Sequence, residues 1–305
     1  MIWGAEFLIT SEPSIKPRKD RTNMKRALSW GLVAALVAAA FVAVPSYAQQ
    51  KEYEPQVGQA GKDVIWVPTP EDVVDRMLRM AQTTANDYVI DLGAGDGRIV
   101  IAAAKKIGAR ALGIEYNSNM VKHAQGNVEK AGVADKARVI EGDIFVSDFS
   151  QATVLTMYLL PELNLKLRPQ ILTMRPATRV VSHSFSMEDW EPDEVSVIDG
   201  RTAYLWIVPA NVTGNWSMEL TGAGNPQRLD VTFEQRYQKI SGTVVLGPVR
   251  AGLREPCLRG FQITFSYVDN NGVRRDLSGR VVSGRMEGSF RADNGQQGRW
   301  TATKR

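Results

Sequence analysis

Tyr88-Val89-Ile90-Asp91-Leu92-Gly93-Ala94-Gly95-Asp96-Gly97-Arg98-Ile99-Val100-Ile101 opens as a short apolar run with a β-branched bias. It passes through three alternating glycines and restarts as an apolar segment at helical spacing. The pattern predicts a buried strand, a tight turn and a helix. Glycine is wanted where the backbone takes positive φ or where a ligand must come close, and here it recurs at Gly93, Gly95 and Gly97.

Two ligand classes use such a turn. A dinucleotide site wants G-x-G-x-x-G with a pyrophosphate at the helix N-terminus. The residue three after Gly95 is Arg98, so the third glycine is missing, and Asp91 would repel phosphate. A carboxylate there suits a cation instead. Two more acids follow at the ends of apolar runs. Glu115 closes Ala111-Leu112-Gly113-Ile114, 22 positions after Gly93 (115 minus 93), close to the ~20-residue spacing at which an acid reaches a ribose diol. Asp143 closes Ala137-Arg138-Val139-Ile140-Glu141-Gly142.

The pattern D-x-G-x-G-x-G resembles the first motif of class I S-adenosylmethionine-dependent methyltransferases, whose cofactor carries a sulfonium and an ammonium group. The resemblance implies that Asp91 and Gly93 lie at the amino-acid end of the cofactor, Glu115 on the ribose and Asp143 near the adenine, with Ala94, Gly95, Gly97 and Ile144 also in the cofactor site. It covers about residues 53 to 209. An NAD-binding oxidoreductase is the competing enzyme class.

At 305 residues, 44% hydrophobic and 23% charged, the chain is long enough for two domains. Its single cysteine, Cys257, rules out an internal disulfide framework and a multi-cysteine metal site. With only His123 and His183, a histidine-based zinc site is not expected either, so no metal is assigned.

Met24-Lys25-Arg26, an apolar stretch to Val44, and Ser46-Tyr47-Ala48 make a secretory signal with cleavage near Ala48. Residues 1–23 then read as an upstream start placed too early. The expected location is periplasmic or secreted, and a retained inner-membrane anchor is the alternative, because the stretch approaches the ~17 to 25 residues of a spanning helix. Without residues 1–48 the chain carries 31 basic and 30 acidic side chains: 17 and 22 in residues 49–209, 14 and 8 in residues 210–305. The basic C-terminal part suits an anionic partner such as an envelope or membrane surface. No basic run interleaved with aromatics suggests nucleic acid.

Along the chain, Pro68-Thr69-Pro70-Glu71-Asp72 reads as a helix start with Thr69 as N-cap, followed by a stripe of Val73, Val74, Met77, Leu78 and Ala81. Asn117 caps a later helix with a stripe of Met120, Val121, Ala124 and Val128. Strands are expected at 137–142, 152–160 and 178–185, a helix from Glu162 to Met174, and a hairpin turning at Asp199-Gly200. The expected architecture is an α/β Rossmann-like methyltransferase sheet over residues 49–209. The chemistry belongs at strand carboxyl ends, so Tyr158 and His183 are the candidate catalytic residues, as base or acceptor clamp.

The fourth strand lacks the Asn/Asp/Ser-Pro-Pro-aromatic sequence of amide- and DNA-amino-methylating enzymes. The chain resembles a little-characterised group of bacterial class I methyltransferases, distantly similar to the lysine methyltransferases of the ATP synthase c-subunit. That implies methyl transfer to a protein amine. A non-catalytic nucleoside-binding or interaction protein of the envelope is the alternative.

Residues 210–305 change character, to short strands punctuated by glycine. About eight antiparallel strands in a meander are expected, a small barrel or sandwich resembling the lipocalin-like β-domains of bacterial secreted proteins.

Overall fold

The computed structural model describes residues 53–222 and 225–305, and Tyr53–Arg305 form one compact unit. The signal, anchor and start-site expectations for residues 1–48 lie outside the described residues. Among the described residues no helix is long and apolar enough to cross a membrane.

Strands buried on both faces read as continuous apolar runs, and four of them, with a fifth, partly exposed strand at the edge, form a parallel core. These are β1 (Tyr88–Leu92), β2 (Arg110–Glu115), β3 (Ala137–Glu141), β4 (Val154–Met157) and β5 (Arg179–His183). A hairpin of β6 (Glu194–Ile198) and β7 (Arg201–Ile207) completes the sheet in the order β3-β2-β1-β4-β5-β7-β6, with β7 antiparallel to β5. Its turn places Asp199 at φ 47° and Gly200 at φ 75°, both positive as a two-residue hairpin demands. The chain runs outward from β1 to β3 and then crosses back to β4. The crevice between β1 and β4 is therefore the switch point where open α/β sheets bind ligands.

One face is covered by α1 (Glu71–Met80), by α2 (Arg98–Ala102) with the π-helical turn Ala103–Ile107 that continues it, and by α3 (Ser118–Lys130). The other carries α4 (Pro161–Leu172), Trp190 and Trp206. The expected stripes of α1 and α3 are buried, and Asn117 Oδ1 accepts from the Asn119 and Met120 amides.

Thr69 is not the N-cap of α1. Pro70 takes that position with no side-chain cap, and the Thr69 hydroxyl lies 3.1 Å from His183 Nδ1 instead. The fourth and fifth strands are shorter than expected because Leu159 and Leu160 leave the sheet to line the cavity, and Ser184 turns the chain at φ 62°.

The C-terminal region holds nine strands among the described residues rather than eight: β8 (Gly214–Thr221), β9 (Gln227–Arg236), β10 (Lys239–Leu246), β11 (Val249–Gly252), β12 (Arg254–Arg259), β13 (Gln262–Val268), β14 (Arg274–Val282), β15 (Arg285–Ala292) and β16 (Gln297–Lys304). Each strand from β8 to β11 and from β12 to β16 pairs with the next, and β16 pairs back onto β8. One seam remains, between β11 and β12, and it is nearly closed: β10 lies against β12, and the Leu253 amide donates to Gly242 O at 2.9 Å. This is one curled sheet, a nearly closed barrel rather than a sandwich.

Its interior is filled by side chains, with Phe265 edge-on to Phe233 and Trp300 at 5.5 and 5.6 Å. The glycine punctuation has a packing reason at Gly279, where a Cβ would stand 2.6 Å from the Trp300 ring.

Candidate active site

The carboxyl ends of β1 to β4, the first turn of α4 and the lead-in before α1 enclose a cavity of 290 Å³, near the lower end of the ~300–1,000 Å³ usual for small-molecule sites. Asp91, Gly93, Ala94, Gly95, Glu115, Asp143, Ile144 and Tyr158 all line it, drawn together from positions up to 67 apart (158 minus 91). Gly97 does not line it. At φ 81° it begins α2, packed against Ala124 and Val139.

Asp91 is 3% exposed, and its carboxylate accepts from Thr156 Oγ1, 2.7 Å from Oδ1. Burial raises its pKa to about 7, against the Thr156 bond and with the help of the negative Asp96 and Glu115 nearby. A buried carboxylate facing a cavity with one neutral donor is a site for a cation.

Glu115 ends β2 and braces the glycine turn. Its Oε2 accepts the Gly95 amide at 3.0 Å and its Oε1 accepts the Asn117 amide at 3.0 Å. Each oxygen keeps lone-pair capacity for a further donor. Asp96, by contrast, is neutralised by Arg98, whose Nη2 lies 2.6 Å away, while Arg98 Nη1 donates to Thr69 O at 2.9 Å. The residue that breaks the dinucleotide pattern thus ties the turn to the lead-in.

That lead-in covers the cavity. Trp66 lies against Gly95, where φ is +53° and a Cβ would stand 2.5 Å from the indole nitrogen. Lys62 Nζ is 2.5 Å from Asp143 Oδ2 and 4.6 Å from the centre of the Tyr116 ring. The Lys62 ammonium and the Phe145 amide hold the Asp143 carboxyl below its ordinary range.

Tyr158 follows β4, the strand paired with β1, with its ring 4.0 Å from the His183 ring and 5.9 Å from that of Phe185. Phe185 lines the cavity, whereas His183 is 2% exposed and sits behind Tyr158 without lining it. Burial, aided by Arg201, lowers the His183 pKa to about 4, so the ring is neutral at pH 7, and its Nε2 has no hydrogen-bond partner among the described residues. His123 lies away from the cavity, edge-on to Tyr53.

Sequence reasoning missed Lys62, Arg98, Thr156 and Phe185. Trp66, just before a helix start, reads from the sequence slightly more readily as core packing than as a substrate or adenine contact, and it lines the cavity. Among the described residues no group of three or more His, Cys, Asp or Glu could hold a metal ion.

The residues present fit a cofactor that brings positive charge to Asp91 and hydroxyls to Glu115, with bare backbone at Gly93 and Gly95 for close approach. Comparisons with known proteins agree. A family model described as the ANTKMT methyltransferase domain matches residues 91–194. A protein-lysine N-methyltransferase of Saccharolobus islandicus is 46% identical over 151 residues, spanning 48% of this chain and 94% of that protein. The ATP synthase c-subunit lysine N-methyltransferase of Xenopus laevis is 30% identical over 194 residues, spanning 62% of this chain and 79% of its own. A solved structure titled as an RNA methyltransferase from Salinibacter ruber in complex with S-adenosyl-L-homocysteine is 50% identical, covers 48% of this chain and 96% of its own, and superposes with a TM-score of 0.47.

Proposed function

The chain belongs to the family of S-adenosylmethionine-dependent methyltransferases that includes the protein-lysine N-methyltransferases, and from that premise we propose that its acceptor is a lysine amine presented by a protein. The carrying observation is that a buried, cation-seeking Asp91 and the Tyr158 and Phe185 rings line the same cavity. Two aromatic rings make a wall that suits an alkylammonium side chain.

The cofactor supplies a methyl group on a sulfonium, already activated for in-line displacement by a neutral amine. The protein's own work is alignment, which can account for several kcal/mol of the barrier. In this proposal Asp91 orients the charged amino-acid end, Glu115 the ribose, and Asp143 with Ile144 the adenine. Gly93, Ala94 and Gly95 give the backbone its close approach, and Gly97 fixes the start of α2. When bound, the cofactor would offer an electrophilic methyl with a neutral thioether as leaving group to the amine lone pair, and the proton displaced from nitrogen would pass to solvent. Tyr158 contacts the acceptor; His183, neutral and behind it, acts through the Tyr158 ring and through Thr69.

Residues 49–209 are read as the catalytic domain and 210–305 as an accessory lipocalin-like one. The charge split between them and the signal pattern support placement at the envelope, next to an anionic surface.

The test is transfer of radiolabelled methyl from the cofactor to fractionated cell extract. Label in a protein band that disappears in Asp91→Asn supports the reading. Label recovered only in RNA overturns the acceptor assignment, and no label in any fraction despite S-adenosylhomocysteine binding leaves a binding protein.

A further inference from the structure

The segment between β5 and β6 carries Phe185 to the acceptor side of the cavity, and its backbone is held from two directions. From α4, Asn164 Nδ2 donates to the Phe185 and Ser186 carbonyls at 3.2 Å each, and Arg168 Nη1 donates to Met187 O at 2.9 Å. Arg168 Nη1 also lies 2.5 Å from Asp189 Oδ1. From the barrel, the end of β9 brings Arg236 Nη2 to Asp189 Oδ2 at 2.8 Å, and the turn after it brings the Tyr237 hydroxyl to the same oxygen at 3.0 Å. The Tyr237 ring stacks on the fully buried Trp190 with centroids 5.7 Å apart. Within the same segment Ser184 and Glu188 hold φ of 62° and 51°, a strained backbone that persists only where its surroundings over-determine it.

One carboxylate is therefore the point on which the α4 wall, the Phe185 segment and the barrel converge. Arg236 first, then Arg168 and Tyr237, lower the Asp189 pKa to about 2. The Arg236 side chain is 74% exposed, and exposed pairs contribute little to stability, so breaking this contact should leave the fold standing.

We propose that Asp189 is a positioning residue through which the barrel fixes the acceptor-side wall, keeping Phe185 and the adjoining Tyr158 ring aligned with the reacting amine. The identity of the acceptor rests on the methyl-transfer reading above; the clamp itself does not.

The test uses the full chain with Asp189→Asn, Arg236→Gln, their double variant and Asp189→Glu. It reads S-adenosylhomocysteine affinity by calorimetry, hydrogen exchange over residues 184–190, and KM and kcat with poly-lysine as the acceptor probe. Cofactor affinity stays at the wild-type value in every variant. Exchange over 184–190 accelerates in Asp189→Asn and Arg236→Gln. KM for poly-lysine rises about tenfold while kcat changes less, within the ~100-fold that a 1 Å misplacement can cost. The double variant is no worse than the more severe single one, as members of one network behave, and Asp189→Glu recovers most of the loss.

Unchanged exchange overturns the proposal, as does faster exchange with unaltered KM, or a parallel fall in cofactor affinity that signals general loosening. Should Asp189→Asn fail to fold, Arg236→Gln and Tyr237→Phe carry the same readings. Should wild-type protein leave poly-lysine unmethylated, that acceptor chemistry fails on its own, and the clamp stands or falls on whether exchange accelerates locally over 184–190.

Discussion

Asp91 couples cofactor binding to pH. Its folded-state pKa of about 7 lies above the ordinary carboxyl value of 3.8, so its contribution to stability is fully present below pH 4 and is lost as pH rises through 7. Asp91→Asn should therefore stabilise the ligand-free protein at pH 8, by on the order of 4 kcal/mol, and the gain should vanish towards pH 4. Denaturant melts at the two pH values check this. A cationic ligand needs the ionised form, so wild-type affinity for S-adenosylmethionine should climb between pH 6 and 8, with proton release visible as buffer-dependent heat. The Asn variant should bind weakly at all pH values. Glu115→Ala removes the acceptor of two backbone amides as well as the proposed ribose contact. It should cost about 1–3 kcal/mol of stability and at least about tenfold in cofactor affinity, read by melts and calorimetry.

At the scale of elements, the lead-in before α1 controls access. Lys62 lies on the carboxylate proposed for adenine, and its ion pair with Asp143 is about one-third exposed at Lys62 and about one-quarter at Asp143. An exposed pair is weak, so it can yield to a ligand. Lys62→Ala should speed S-adenosylhomocysteine association without weakening binding. Trp66, lying on Gly95, should report that association by stopped-flow fluorescence, with the signal lost in Trp66→Phe.

The βα alternation, the Asp199-Gly200 hairpin and the three strand-end acids were legible because each rests on local pattern: period, turn chemistry and spacing. The lead-in was legible only as the start of α1. Its part in the cavity depends on pairs 81 and 29 positions apart, Lys62 with Asp143 and Thr69 with Arg98, and no local pattern records such pairs. The Thr69 capping expectation failed for the same reason: a tertiary partner, His183, drew its hydroxyl away. The expected count of about eight strands fell one short of nine; β11 and β12 are separated only by Leu253, too short a break to count as a turn.

For the whole molecule, the barrel has its own core, and its links to the α/β sheet include polar contacts around Asp189 and Glu191 and the close approach of Gly260 to Ala177. Trp300→Ala empties the centre of that core and should cost about 3–5 kcal/mol. Calorimetry should then resolve an early barrel transition that S-adenosylhomocysteine leaves unmoved and a later one that it raises.

The closure of β16 onto β8 also sets a timetable for synthesis. Trp216 pairs with Lys304, 88 positions later (304 minus 216), so at ~5–20 residues per second β8 waits roughly 4 to 18 s for its neighbour. The sheet from β1 to β7 has fully emerged by then, while β8 holds an unpaired edge with Trp216, Met218 and Leu220 on its inward face, a template for self-association. A chain truncated before Gln297 should therefore self-associate through that open edge at concentrations where the full chain stays monomeric.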